Sequence, residues 1–239
     1  MKCWLFDLDN TLHDASYAVF PKITANMNDF IADAIGKVKT PKALEKANTI
    51  RLNYWKRYGA TILGMVKHYG TKPEAFLKAA HQFDNLRSLL RSERGLISAL
   101  HRLPGKKIIL TNAPQAYCRE VLRTLGLHRC FVRNIAIESM RVHGQLSPKP
   151  SKKLLRKILA REKVLPQACI MVEDNEVALK AAKTIGMTTV LISQYIRKND
   201  YEMRASPRLR RSTIKNKAAY IDVKVKSVKQ LPDCLYRLK

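Results

Sequence analysis

No two cysteines in this 239-residue chain stand at a Cys-x-x-Cys spacing; the five present, Cys3, Cys118, Cys130, Cys169 and Cys234, are scattered and odd in number. That pattern argues against a disulfide framework and against a zinc site, and it fits a reducing cytoplasm. Nowhere does an apolar run approach the roughly 20 residues that span a bilayer, and no early segment joins a basic start, a long apolar core and a small-residue cleavage site. The expectation is a cytoplasmic protein with no membrane partner. Internal repeats and low-complexity stretches are missing as well. Acids are scarce, 19 Asp and Glu against 45 Lys and Arg, for a formal charge of +26. Such an excess attracts anions: small phosphorylated substrates drawn into a cleft, or nucleic acid held weakly and nonspecifically along its phosphates. Because the basic residues are spread along the whole chain rather than concentrated in one tract, the charge reads more readily as a solvated basic surface without a dedicated partner.

What the chain does have is a 46% hydrophobic composition, ample for a buried core without staples. An apolar run, Cys3-Trp4-Leu5-Phe6, predicts a first strand. The β pattern then stops for about a hundred residues, until Lys107-Ile108-Ile109-Leu110-Thr111. Helical stripes fill the gap: Ile23, Met27, Phe30, Ile31 and Ala34 after Pro21; Leu44, Ala47, Ile50, Tyr54 and Tyr58 between Pro41 and Gly59; Ile62 to Tyr69; and Phe76 to Ala80. From residue 105 strands alternate with helices: 108–110, 132–137, 168–172 and 188–192 against 115–125, 151–161 and 176–185, with Gly126 and Gly186 as helix stops. Alternation of this kind predicts an α/β fold, a parallel sheet covered on both faces, interrupted by a helical block. Between Tyr195 and Lys217 stand eight Lys or Arg against two acids, which reads as an exposed basic loop. Tyr220, Ile221, Val223 and Val225 then predict a last strand.

Candidate chemistry falls at strand ends. The first strand delivers Asp7-Leu8-Asp9-Asn10-Thr11, two carboxylates leaving together. At the carboxyl edge of an open α/β sheet such a pair can hold a hard cation while one acid attacks and the other handles protons. By itself the pair suits a strand-end turn as well. The second strand ends in Thr111-Asn112, a hydroxyl and a following backbone N–H able to hold phosphate oxygens. Lys149 lies between two prolines, and Pro150 disfavours helical geometry there, which frees the lysine to enter a crevice. A further strand ends in Glu173-Asp174.

This ordered set resembles the haloacid dehalogenase superfamily: Asp7-Leu8-Asp9-Asn10-Thr11 matches its first motif, Thr111 the second, Lys149 the third and Glu173-Asp174 the fourth. The resemblance implies a doubly wound, Rossmann-like parallel sheet over 1–14 and 104–239, with an inserted α-helical cap over 15–103. It also implies Asp7 as nucleophile, Asp9 as acid and base, and Thr111, Asn112 and Lys149 around the phosphoryl group. Mg2+ would lie on Asp7, the Asp9 carbonyl, Asp174 and Glu173. Glu173 departs from the commoner glycine or aspartate of the fourth motif. Asp9 favours phosphatase over dehalogenase chemistry, since an alkoxide leaving group needs a proton. Leu12-His13, Tyr58-Gly59-Ala60-Thr61, Leu63-Gly64-Met65 and Leu110-Thr111-Asn112-Ala113 look like the pyrimidine 5′-nucleotidase branch, although His13 replaces an expected aromatic residue. The expected activity is hydrolysis of a nucleoside 5′-monophosphate. Another small ester, such as a sugar phosphate or phosphoglycolate, is the enzymatic alternative, and a basic nucleic-acid-binding protein on the same scaffold is the alternative of another class.

Overall fold

The computed structural model describes residues 2–36, 38, 40–196 and 218–238. Cys3–Phe6 form strand β1, and all four of its side chains are buried. After β1 and its loop the chain leaves the sheet for a separate unit, Tyr17–Leu90. This unit holds α1 (Val19–Ala34), α2 (Pro41–Tyr58), α3 (Thr61–Tyr69), α4 (Pro73–Ala80) and α5 (Leu86–Leu89). Local chemistry sets the ends of these helices. Thr40 accepts a hydrogen bond from the Ala43 N–H with Pro41 in the first turn, and Gly59 closes α2 in the left-handed conformation, φ 83°. Inside the unit α1 packs on α2 and α4, with the Phe30 and Phe76 rings edge to face at 5.3 Å. Gly64 is required by packing, since a Cβ there would lie 2.2 Å from Cγ of Tyr54. Tyr54, Tyr58 and Tyr69 are neighbours within one cluster, in which Tyr54 stacks on His68 at 5.1 Å and the Tyr58 hydroxyl meets His68 Nε2 at 2.7 Å.

The second unit comprises Met1–Ser16 and Arg91–Lys239. Residues 91–103 therefore group with the sheet, which differs from the expected boundary at 103. The physical reason is apolar: α6 (Leu96–Arg102) buries Leu96, Ala99 and Leu100 and packs on the turn that begins at Val228, while Ser227 Oγ donates to Glu93. The chain continues through β2 (Lys106–Leu110), α7 (Gln115–Thr124), β3 (Arg133–Ile135), a hairpin of β4 (Arg141–Val142) and β5 (Gln145–Leu146), and α8 (Lys152–Glu162). Then come β6 (Cys169–Glu173), α9 (Glu176–Thr184), β7 (Thr188–Ile192) and β8 (Val223–Val225).

Six strands form one parallel sheet in the order β3-β2-β1-β6-β7-β8. The sequence winds outward from β1 through β2 to β3 and re-enters on the other side of β1 at β6. This reversal is the topological switch point of a doubly wound fold, where ligands bind at the carboxyl ends of the strands. Both faces are filled. Cys3 and Leu5 share a core with Leu154, Leu155, Ile158 and Leu159 of α8 and Leu179 of α9. On the opposite face the Trp4 and Phe6 rings stack at 6.0 Å, and Phe6 meets Phe131 edge on at 5.8 Å. Each such fully buried large side chain contributes about 1.5–3 kcal/mol.

Two local differences from the sequence reading have plain causes. The strand expected over 132–137 is confined to Arg133–Ile135, because Ile137 N–H turns away to the Ala113 carbonyl and opens a 3-10 turn. The β4–β5 hairpin is built on His143 and Gly144, both at positive φ (50° and 76°), a pairing that suits a tight hairpin turn. Most of the expected basic loop, residues 197–217, lies outside the described residues. Among the described residues no helix is long and apolar enough to cross a membrane.

Candidate active site

Asp7 leaves β1 with its N–H donating to the Val172 carbonyl at 2.9 Å, so its Cα is held by the neighbouring strand β6. β1 pairs Phe6 with Ile109 of β2 on one side and with Val172 of β6 on the other. Thr111, which follows β2, and Glu173, which ends β6, with Asp174 after it, therefore flank the Asp7 loop. Asp7, Thr111, Lys149, Glu173 and Asp174 are all buried, although four of the five carry a charge. Charged groups are buried only when paired or bound to an ion.

Lys149 is the hub. Its Nζ donates to Asp7 Oδ1 at 2.6 Å and to Glu173 Oε2 at 2.7 Å. Burial opposes its charge, but the Asp7 and Glu173 carboxylates outweigh that and hold its pKa above the ordinary lysine value. Asp7 is raised, first by burial and then by Asp174 and Asp9 against the pull of Lys149; Glu173 is raised too, by burial and by Asp7 against the same lysine. Among the described residues, Lys149 thus offsets part of the negative charge of Asp7 and Glu173. Carboxylate oxygens of Asp7, Glu173 and Asp174 lie within 4.8 Å of one another. Three hard oxygen donors gathered in one pocket, with excess negative charge, suit a divalent cation such as Mg2+.

The site's surroundings hold these groups in place. Thr11 Oγ1 approaches Asp7 Oδ2 at 3.4 Å, a long contact. Asn10 occupies the left-handed region, φ 60°, which Asn tolerates better than most residues. Its side chain pins the loop by donating to Ser16 Oγ at 2.7 Å and accepting from Ser16 N–H at 3.0 Å. Thr111 Oγ1 accepts from the Ala113 N–H at 3.0 Å.

Asn112 also serves Lys149 directly. Its side-chain amide donates to the Lys149 carbonyl at 3.0 Å and accepts from the Lys149 N–H at 2.9 Å, a two-point clamp on the lysine's main chain. The amide is committed to Lys149, and only the backbone N–H of Asn112 remains as the phosphate-facing group anticipated from sequence. Ser151 caps α8 just beyond, accepting from Leu154 N–H, so Lys149 is fixed from both sides.

Asp9 keeps 14% of its side chain exposed. Its Oδ1 accepts from the Tyr117 hydroxyl at 2.6 Å and lies 2.9 Å from His13 Nε2, and both partners are buried. Burial and the adjacent Asp9 carboxylate hold the Tyr117 phenol well above its ordinary pKa, so it remains a donor. Sequence reading passed over Tyr117. The available signal was position: it sits in the first turn of α7, six residues after Thr111, beside the strand ends.

The haloacid dehalogenase-like hydrolase model matches residues 1–186. A phosphorylated carbohydrates phosphatase of Thermotoga maritima is 25% identical over 195 residues, covering 80% of this chain and 84% of that protein. Among solved structures, a HAD phosphatase from Thermococcus onnurineus has a TM-score of 0.63 at 21% identity, covering 98% of each chain. A putative beta-phosphoglucomutase from Thermotoga maritima has a TM-score of 0.56 at 20% identity over 100% of each. L-2-haloacid dehalogenase from Xanthobacter autotrophicus, with chloropropionic acid covalently bound, has a TM-score of 0.56 at 17% identity, covering 99% of this chain and 98% of that one. With a family match over most of its length and this buried acid–lysine cluster at the sheet's switch point, the chain belongs to the haloacid dehalogenase-like hydrolases.

Proposed function

We propose that the protein is a Mg2+-dependent phosphomonoesterase that works through an aspartyl-phosphate on Asp7. The observation that carries this reading is the Lys149 bridge between Asp7 and Glu173, with Asp174 alongside and Asp9 two residues further on. A dianionic ester repels a carboxylate nucleophile until cationic groups neutralise it, and Lys149 stands against Asp7 to do so. Mg2+ held by Asp7, Asp174, the Asp9 carbonyl and Glu173 would supply the remaining neutralisation and orient the phosphoryl group. Glu173 shares one oxygen with Lys149 and accepts the Asn175 N–H at 3.3 Å on the other.

Asp7 attacks phosphorus, and the ester P–O bond breaks as Asp9 gives its proton to the leaving alkoxide. Asp9 then takes a proton from water as the water oxygen bonds to phosphorus and Asp7 is released. Thr111 and the Asn112 backbone N–H are assigned to the phosphoryl oxygens. A haloalkane reaction has no alkoxide to protonate, and the presence of Asp9 favours an ester.

Two substrate classes have specific support. The resemblance of Tyr58-Gly59-Ala60-Thr61, Leu63-Gly64-Met65 and Leu110-Thr111-Asn112-Ala113 to the pyrimidine 5′-nucleotidase branch favours a pyrimidine nucleoside 5′-monophosphate. The Thermotoga maritima relative, named for phosphorylated carbohydrates, favours a sugar phosphate. Phosphate release should be measured over a panel of nucleoside monophosphates, sugar phosphates and phosphoglycolate, with and without Mg2+. The expected result is metal-dependent turnover in one of these classes and its loss, by a factor of at least about 10³, in Asp7→Asn. Full activity in Asp7→Asn overturns the mechanism.

A further inference from the structure

The carboxyl group assigned to proton transfer is held by two residues that the mechanism above does not use. Tyr117, from α7, and His13, from the loop after β1, converge on the same oxygen, Oδ1 of Asp9, at 2.6 and 2.9 Å, and stand 3.5 Å from each other. Tyr117 is 3% exposed and His13 fully buried, so neither contact is an exchangeable surface pair. A carboxylate oxygen offers lone pairs alone, so His13 meets it as a donor in the tautomer that places the ring hydrogen on Nε2. Nδ1 has no hydrogen-bond partner among the described residues, which fits its being the bare nitrogen. Asp9 Oδ1 thus meets two partners, one from α7 and one from the loop after β1, which together restrain rotation of the carboxyl group about Cβ–Cγ.

We propose that Tyr117 and His13 are positioning residues that lock the Asp9 carboxyl so that Oδ2 alone meets the leaving oxygen and the attacking water. This rests on the reading of Asp9 as acid and base. In the first half-reaction the Oδ2 proton passes to the leaving alkoxide as its bond to phosphorus breaks. In the second, Oδ2 receives a proton from water as the water oxygen displaces Asp7 from phosphorus. Without the lock the carboxyl rotates among orientations, and both transfers slow while phosphate binding, carried by other groups, is untouched.

The test compares two esters of similar size, benzyl phosphate and 4-nitrophenyl phosphate, on the Mg2+-loaded wild type and on Tyr117→Phe. Benzyl alkoxide needs a proton to leave and nitrophenolate does not. For Tyr117→Phe, kcat on benzyl phosphate should fall about 10- to 100-fold with KM within about twofold, general acid–base assistance being worth roughly 10²–10⁴ in all. With 4-nitrophenyl phosphate, the variant should release a rapid burst close to one equivalent of nitrophenolate, then turn over slowly, because only hydrolysis of the aspartyl-phosphate still needs Asp9. Equal losses on both esters without a burst, or no loss, overturn the proposal. Should Tyr117→Phe fail to fold, the same comparison is made on His13→Leu and His13→Gln. Gln keeps a donor, so its kcat on benzyl phosphate should exceed that of Leu, and equal values overturn the proposal. A wild type that releases phosphate from neither these two esters nor any member of the panel above overturns the phosphomonoesterase reading itself, whereas an active wild type with unaffected variants overturns only the lock.

Discussion

At the scale of single residues, the site is an arrangement of buried charge whose geometry depends on uncharged helpers. Lys149 can bridge Asp7 and Glu173 only if its main chain is fixed, and Asn112 fixes it with two hydrogen bonds. Asn112→Ala removes both and leaves a Lys149 N–H and C=O to find other partners. The expected outcome is a fall in kcat of about 10- to 100-fold, the usual effect of losing a group that orients a site ligand, with KM little changed. Steady-state kinetics on the substrate found in the panel check this. Asn112→Asp, which keeps the acceptor for the Lys149 N–H, should lie between. Asp7, Asp9, Thr111, Lys149, Glu173 and Asp174 were legible as candidates because each stands at the end of an apolar run or before a helix. The partners that hold them were less so: the Asn112 clamp crosses 37 residues and the Tyr117 contact 108, and no local pattern encodes a hydrogen bond of that span.

At the scale of elements, helix ends were the most readable feature. Thr40-Pro41, Gly59 and Gly70 mark α2 and α3 because capping and left-handed backbone are local chemistry. The β4–β5 hairpin went unread, since its strands are two residues each and carry no periodicity. The sheet's last strands illustrate tertiary fastening. Asp222, just before β8, accepts from Thr189 N–H and Oγ1 at 2.9 and 3.0 Å and from Lys183 Nζ at 2.6 Å, which ties α9 and β7 to the approach of β8. Burial raises its pKa, but the hydrogen bonds from Lys183 and Thr189 outweigh it, so the folded value lies below the ordinary one. A lowered folded pKa means that the unfolded chain binds the proton more readily. The stabilisation is therefore present above the unfolded value near 3.8 and is lost as pH falls through the folded value. Asp222→Asn should cost about 1–2 kcal/mol at pH 7 in denaturant unfolding. The gap between wild type and variant should close as pH drops below about 3.8.

At the scale of the whole molecule, the charge of +26 remains the largest bulk property, and the proposed active site uses one lysine of it. Weak nucleic-acid binding through this surface predicts retention on an immobilised single-stranded DNA column at about 50 mM salt, with release by about 200 mM. Neutralising Arg208, Arg210 and Arg211, which lie outside the described residues, should shift release to lower salt. Passage through the column at low salt would leave the basic surface solvated and the anion preference confined to the substrate.

Sequence alone determined the α/β alternation, the helical insertion and the four motif positions, because strand burial, helix capping and turn chemistry act over a few residues. Tertiary structure decided the strand order, the grouping of residues 91–103 with the sheet, the commitment of the Asn112 side chain to Lys149, and the Tyr117–His13 hold on Asp9. Those depend on contacts between segments tens to hundreds of residues apart, where burial and long-range pairing, rather than any local preference, choose the partner.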